Sequence, residues 1–141
     1  SNPSSELHYL EDTSVELYRL KIYGLPYQPE FHGWAFNRSN EEREQLFSKI
    51  PQDTDIILCH GPPYQILDHL KDGTSVGCPI FAKTIERVKP ALVQFGHIHE
   101  DYGVMKVGNT ICVNAANCTV RYVPINKPIV IDLKKKKPTA T

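Results

Sequence analysis

The middle of this chain limits its folding choices most. Residues 55–59, Asp-Ile-Ile-Leu-Cys, form a short continuous apolar run, and residues 91–95, Ala-Leu-Val-Gln-Phe, form a second. Runs of this length suit strands buried on both faces, as in a parallel sheet. Between them, from Pro79 to Lys89, Phe81, Ile85 and Val88 recur at helical spacing, Pro79 suits the first helical turn and Pro90 ends the pattern. Strand, helix, strand is a crossover unit, and its two strands should lie parallel. Ligands collect at the carboxyl ends of such strands. Both strands run there into histidine and glycine: Cys59-His60-Gly61-Pro62-Pro63 after the first, Gly96-His97-Ile98-His99 after the second.

The rest of the chain has to be built around that unit. With 141 residues, 40 % of them hydrophobic, it has the size of one domain and enough apolar matter for a core. Residues 7–10 and 15–23 read as strands around a turn-like cluster, Glu11-Asp12-Thr13-Ser14. Residues 24–37 read as a loop broken by Pro and Gly, yet rich in aromatics, so it packs on the body or lines a pocket. Ser39 and Glu42 have capping-box spacing for a helix whose apolar edge is Leu46, Phe47 and Ile50, stopped by Pro51. Gly108-Asn109 predicts a hairpin turn between strands at 104–107 and 110–113. Residues 118–123 and 129–133 are expected to complete the strands.

Charge and cysteine usage narrow the function classes. Sixteen Lys+Arg balance sixteen Asp+Glu, but the run Lys134 to Lys137 leaves the body with 12 basic against 16 acidic residues. A mildly acidic body argues against a nucleic-acid surface, and residues 134–141 read as a solvated, disordered basic tail. No apolar run reaches the ~20 residues of a membrane span. Cys59, Cys78, Cys112 and Cys118 show neither a CxxC pair nor zinc-finger spacing, so they are expected reduced and mostly buried. A cytoplasmic location is expected, with no membrane partner.

The chemistry is expected at the strand ends. His97 and His99 are two apart, so in an extended segment they face the same side. Gly61 and Gly96 allow close approach of a backbone or ligand. Neutral imidazole suits zinc, iron, manganese or nickel, so His60, His97 and His99 are the candidate metal ligands, with Asp68 and Glu100 as candidate supporting carboxylates. His8 and His69 read as surface residues. His32, Trp34 and Phe36 alternate in the aromatic loop and are candidates for a wall of the substrate cleft.

Cys59-His60-Gly61-Pro62-Pro63 and Gly96-His97-Ile98-His99-Glu100-Asp101-Tyr102-Gly103 resemble the last two motifs of the calcineurin-like metallophosphoesterases. The likeness is greatest to the fetal-brain-protein subfamily of metallophosphoesterase-domain proteins, whose IYG-x-P-x-x-P-x-x-x-GW-x-FN segment is matched from Ile22 to Asn37. Val113-Asn114-Ala115, Cys118-Thr119-Val120 and residues 128–133 look like its C-terminal strands, so the resemblance spans about residues 7 to 133. It implies a mixed α/β fold, the C-terminal half of a metallophosphoesterase β-sandwich flanked by helices. It also implies two divalent metal ions (manganese, iron or zinc) in the complete enzyme and hydrolysis of a small phosphoester, a phosphodiester above all. Carried over, His60 and His97 hold one metal and His99 the other.

The family's first three motifs, D-x-H, G-D-x-x-D and G-N-H-E/D, do not occur in this sequence. Three neutral imidazoles can hold one zinc but cannot offset two dications. The chain is therefore expected to be a C-terminal part, residues 1–133 of a single domain, nearly inactive alone. It would bind one metal or none, and associate with its missing N-terminal half or a second copy of itself. Two other readings stand beside this one: a self-contained mononuclear three-histidine zinc hydrolase, and a non-catalytic interaction module that keeps the fold.

Overall fold

The computed structural model describes residues 7–133, so the terminal lysine run lies outside the described residues. Six strands, β1 (Thr13–Leu17), β2 (Leu20–Leu25), β3 (Ile56–Cys59), β4 (Leu92–Phe95), β5 (Gly103–Val107) and β6 (Thr110–Asn114), form one sheet in the order β1-β2-β3-β4-β6-β5. The central four, β2, β3, β4 and β6, are parallel, and antiparallel β1 and β5 close the two edges. The fold is mixed α/β, and the crossover expected at residues 55–95 is its centre.

The helices form where local chemistry favours them. In α1 (Asn40–Ser48) the Ser39 hydroxyl accepts from the Glu42 amide, and the Glu42 carboxylate accepts from the Ser39 amide, which satisfies two orphan donors reciprocally. In α2 (Pro79–Val88) proline occupies the first turn, and Lys89 ends the helix in the left-handed conformation. Phe47 and Ile50 from the α1 region and Phe81, Ile85 and Val88 from α2 pack on Tyr23, Leu25, Ile57, Val93, Phe95 and Cys112. These sheet residues share one face by the two-residue strand period, so both helices lie on the same side.

The opposite face corrects in part the expectation of strands buried on both sides, since only Ile56 and Val113 of its apolar residues are buried there. Ile22, Leu58, Leu92 and Ile111 are only half-buried there, and Gln94 is exposed. The described residues build one sheet, with one face covered by helices. Residues 7–10 contribute to the other side as coil rather than as a strand, and Leu10 lies where a Cβ on Gly24 would stand, 2.4 Å from its own Cβ.

Two further strand expectations are corrected. The first turn is Tyr18-Arg19, not residues 11–14. Both residues have positive φ, 51° and 65°, as a two-residue hairpin loop requires, although neither belongs to the usual turn formers. Asp12 instead accepts from the Tyr23 hydroxyl at 2.5 Å and pairs with Lys49 at 3.0 Å. Residues 118–123 and 129–133 are irregular. The sheet has no vacancy beside β6, which already pairs with β4 and β5, and the Thr119 hydroxyl accepts from the Arg121 and Val123 amides to hold a local turn instead. The Gly108-Asn109 hairpin forms where expected.

Candidate metal centre

Adjacent parallel strands bring their carboxyl ends to one edge. His60 follows directly on β3, and His97 lies two residues past β4. With Ile57 opposite Val93, the two rings meet: His60 Nε2 is 3.1 Å from His97 Nδ1. The Gly96 amide donates to the His60 carbonyl at 2.9 Å, tying the two strand ends together just before the rings. Burial holds the His60 imidazole below the usual histidine range. Burial does the same for His97, helped by His60 and His99 nearby. Both rings therefore keep lone pairs at neutral pH, the state a cation needs.

His99 reaches the same cleft by another route than the extended alternation expected. His97 is in the left-handed region, with φ of 69°, and the chain folds back so that the Ile98 amide donates to the Gly96 carbonyl. Ile98 is buried, and His99 opens a single 3₁₀ turn, His99–Asp101. Its Nδ1 lies 2.9 Å from the Thr119 carbonyl, which can only accept. Nδ1 is therefore the protonated nitrogen, and Nε2 carries the lone pair. The ring meets the edge of Tyr122 at 5.4 Å.

The three histidines line one cleft of about 580 Å³, an ordinary size for a small-molecule site. They do not converge on one point. Among the described residues the only three ligand-bearing groups whose atoms all lie within 4.8 Å of one another are Asp68, His69 and Asp101. The His60–His97 pair fits one divalent cation by itself. Two nitrogens at bonds of ~2.0–2.1 Å and a tetrahedral angle stand about 3.3 Å apart. Cys59, beside His60, is no rival ligand, since burial pushes its thiol up to about 12.

The aromatic loop folds over this pair with a different set of residues than alternation suggested. Phe31 and Trp34 pack on His97, with ring centroids at 5.1 Å and 6.0 Å. His32, Gly33 and Phe36 all have positive φ, so the segment is not extended and the period of two fails. Trp34 lines the cleft, but His32 and Phe36 do not, and Phe36 turns to Tyr27 instead. Phe31 takes the place given to them.

The expected supporting carboxylates also separate. Glu100 lines the cleft. Asp68, fully buried, accepts from the Gln65 and Gly77 amides and the Ser75 hydroxyl, so it organises residues 65–77. Gly77 there cannot carry a Cβ, which would stand 2.3 Å from the Pro63 carbonyl oxygen. Gly61 and Gly96 meet no such crowding from the protein's own atoms. His69 is exposed, as read from the sequence, and joins the Asp68 group from the surface, with its Nδ1 2.9 Å from Asp101. Asn114 escaped the sequence reading. Fully buried at the end of β6, it donates to the Leu67 and Ile98 carbonyls and accepts from the Ala116 amide. The signal for it was an amide closing an otherwise apolar strand.

Sequence comparison places this arrangement. Human "Metallophosphoesterase domain-containing protein 1" is 48 % identical to the chain over 128 residues, covering 89 % of this chain and 39 % of that protein. The chain matches the C-terminal part of metallophosphoesterase-domain proteins. A UPF0046 protein of Caenorhabditis elegans is 39 % identical over 129 residues, covering 89 % of this chain and 32 % of that one. The chain thus spans about two fifths or less of the length of these relatives. A solved crystal structure matches its fold with a TM-score of 0.60 at 19 % identity, over 76 % of this chain and 45 % of the other. No family model matches the chain. Among the described residues no helix is long and apolar enough to cross a membrane.

Proposed function

We propose that this chain supplies the histidine half of a divalent-metal centre that hydrolyses phosphodiesters. The observation that carries the reading is the His60–His97 contact, two imidazole nitrogens 3.1 Å apart on neighbouring strand ends. His60 and His97 would share one cation, and His99, oriented by the Thr119 carbonyl, would present Nε2 to a second. Divalent cations, when bound, supply positive charge against phosphoryl oxygens and lower the pKa of water. The chain's own residues orient the donors and, through Phe31 and Trp34, keep water from the flank of His97. Manganese, iron and zinc all suit imidazole. The half-open face of the sheet, with Leu58, Leu92 and Ile111, supports a further proposal: the rest of a longer protein covers it, supplying acidic ligands that this chain lacks.

Metal uptake tests the reading directly. The 141-residue chain should bind Mn²⁺ or Zn²⁺ by calorimetry, and His60→Ala with His97→Ala should abolish binding while leaving circular dichroism unchanged. Full-length protein should hydrolyse bis(4-nitrophenyl) phosphate with added metal. Unchanged metal uptake in the double variant would overturn the assignment.

A further inference from the structure

The Thr119 carbonyl holds one nitrogen of His99 but leaves the imidazole free to swing about that hydrogen bond. A fixed direction for Nε2 needs a second contact. The Tyr122 ring supplies it, with its centroid 5.4 Å from that of His99 and the two planes at 85°. Tyr122 lines the same cleft as His99. It is 72 % exposed, so burial of its own ring does not explain why it stands there.

The backbone shows that the placement is held against local preference. Tyr122 has a φ of 59°, in the left-handed region, which a bulky residue rarely adopts. Thr119 holds it there with three groups. Its amide donates to the Val123 carbonyl at 2.9 Å, its carbonyl accepts from the Tyr122 amide at 2.8 Å, and its hydroxyl accepts from the Arg121 and Val123 amides at 3.3 Å. Asn126 closes the base of the loop, donating from its amide to the Asn117 carbonyl at 3.1 Å and from its side chain to the Ala116 carbonyl at 2.8 Å. A turn that had only to reverse the chain would be served better by Gly or Asn at position 122. Strain that surrounding hydrogen bonds over-determine, beside a candidate site, points to a use for the strained side chain. A single oxygen, the Thr119 carbonyl, binds both the Tyr122 amide and the imidazole that the Tyr122 ring touches.

We propose that Tyr122 is a positioning residue. Its ring, carried by the strained turn, clamps His99 against the Thr119 carbonyl, so that Nδ1 keeps the proton and Nε2 is aimed into the cleft. The clamp stands without the phosphodiesterase reading; its effect on a second cation rests on that reading.

The metal-free 141-residue chain tests the clamp by nitrogen-15 NMR of the His99 ring, at a pH above the ordinary histidine range. The wild-type chain should show a protonated Nδ1 and a bare Nε2, and Tyr122→Phe, which keeps the ring, should match it. In Tyr122→Gly the two nitrogen signals should move toward each other as the tautomers interchange, while the urea midpoint does not fall, because glycine accepts the left-handed backbone. Unchanged His99 signals in Tyr122→Gly, their loss in Tyr122→Phe, or a lowered urea midpoint in Tyr122→Gly would each overturn the proposal. In the full-length protein, Tyr122→Gly should raise the Mn²⁺ concentration for half-maximal hydrolysis of bis(4-nitrophenyl) phosphate at least about tenfold, with kcat at saturating metal within about threefold. A clamp seen by NMR in a full-length protein that hydrolyses nothing with any metal would refute only the phosphodiesterase. A clamp lost in Tyr122→Gly with unchanged metal dependence would refute only His99 as a metal ligand.

Discussion

Two histidine clusters sit close together in this fold and differ in what surrounds them. His60 and His97 touch each other across two strand ends, beneath aromatic rings, and among the described residues no carboxylate is hydrogen-bonded to either. His69 is half-exposed and lies between Asp68 and Asp101, both within ion-pair range. The second cluster has more charge and converges more tightly. Its carboxylates, however, are already engaged: Asp68 binds two amides and a hydroxyl, and one Asp101 oxygen binds both the His69 amide and its ring. Donor atoms consumed by the protein hold loops in place. Imidazole nitrogens that meet only each other at the edge of a cleft are open to a ligand that replaces that contact. If the proposed function holds, closeness of ligand atoms alone does not rank the two clusters for chemistry.

The largest expected effect breaks the comparison most directly. His97→Ala in the full-length protein should lower kcat/KM for bis(4-nitrophenyl) phosphate about 10³-fold, about 4 kcal/mol of transition-state stabilisation. His69→Ala should leave it within about threefold. If His69→Ala is the more damaging change, the functional ranking of the two clusters is reversed.

Stability should rank them the other way. Asp68→Ala strips two buried amides and a hydroxyl of their acceptor and should cost about 3 kcal/mol in urea unfolding. Glu100→Ala, in the cleft, should cost less than about 0.5 kcal/mol. Equal costs would mean that Asp68 does not organise its loop.

Asn114 links the clusters, since its amide donates both to Leu67, beside Asp68, and to Ile98, between His97 and His99. Asn114→Ala should cost about 2 kcal/mol and should also weaken metal binding by the chain, measured by calorimetry. Lost stability with unchanged metal affinity would show that the two loops are held independently.

The smallest effect concerns His69 itself. Its pairing with Asp101 is partly exposed and screened, so His69→Ala should lower stability by only about 0.5 kcal/mol. Added Mn²⁺ should still quench Trp34 emission in this variant and should fail to do so in His97→Ala, because Trp34 packs 6.0 Å from His97. Quenching that depended on His69 would place the metal in the other cluster.

Some of this was legible from local sequence because local forces decide it. The capping box at Ser39 and Glu42, the proline-started helix at Pro79 and the Gly108-Asn109 hairpin each depend on residues within a few positions of one another. The histidine pair was legible for a related reason: apolar runs joined by a helix must be parallel neighbours, so their carboxyl ends must meet. Other features depended on partners distant in the chain. Tyr18-Arg19 turns because Val15 and Ile22 must face each other in the sheet, against the residues' own turn preference. Residues 118–123 are kept out of the sheet because both sides of β6 are taken. Phe31, rather than His32, reached the cleft because three residues of the aromatic loop adopt positive φ, which cancels the strand period. Sequence determined which side chains could bind a cation. Tertiary structure decided which of them face the cleft, because sheet pairing brought His60 and His97 together while Asp68 and Asp101 were engaged by amides and by the Ser75 hydroxyl.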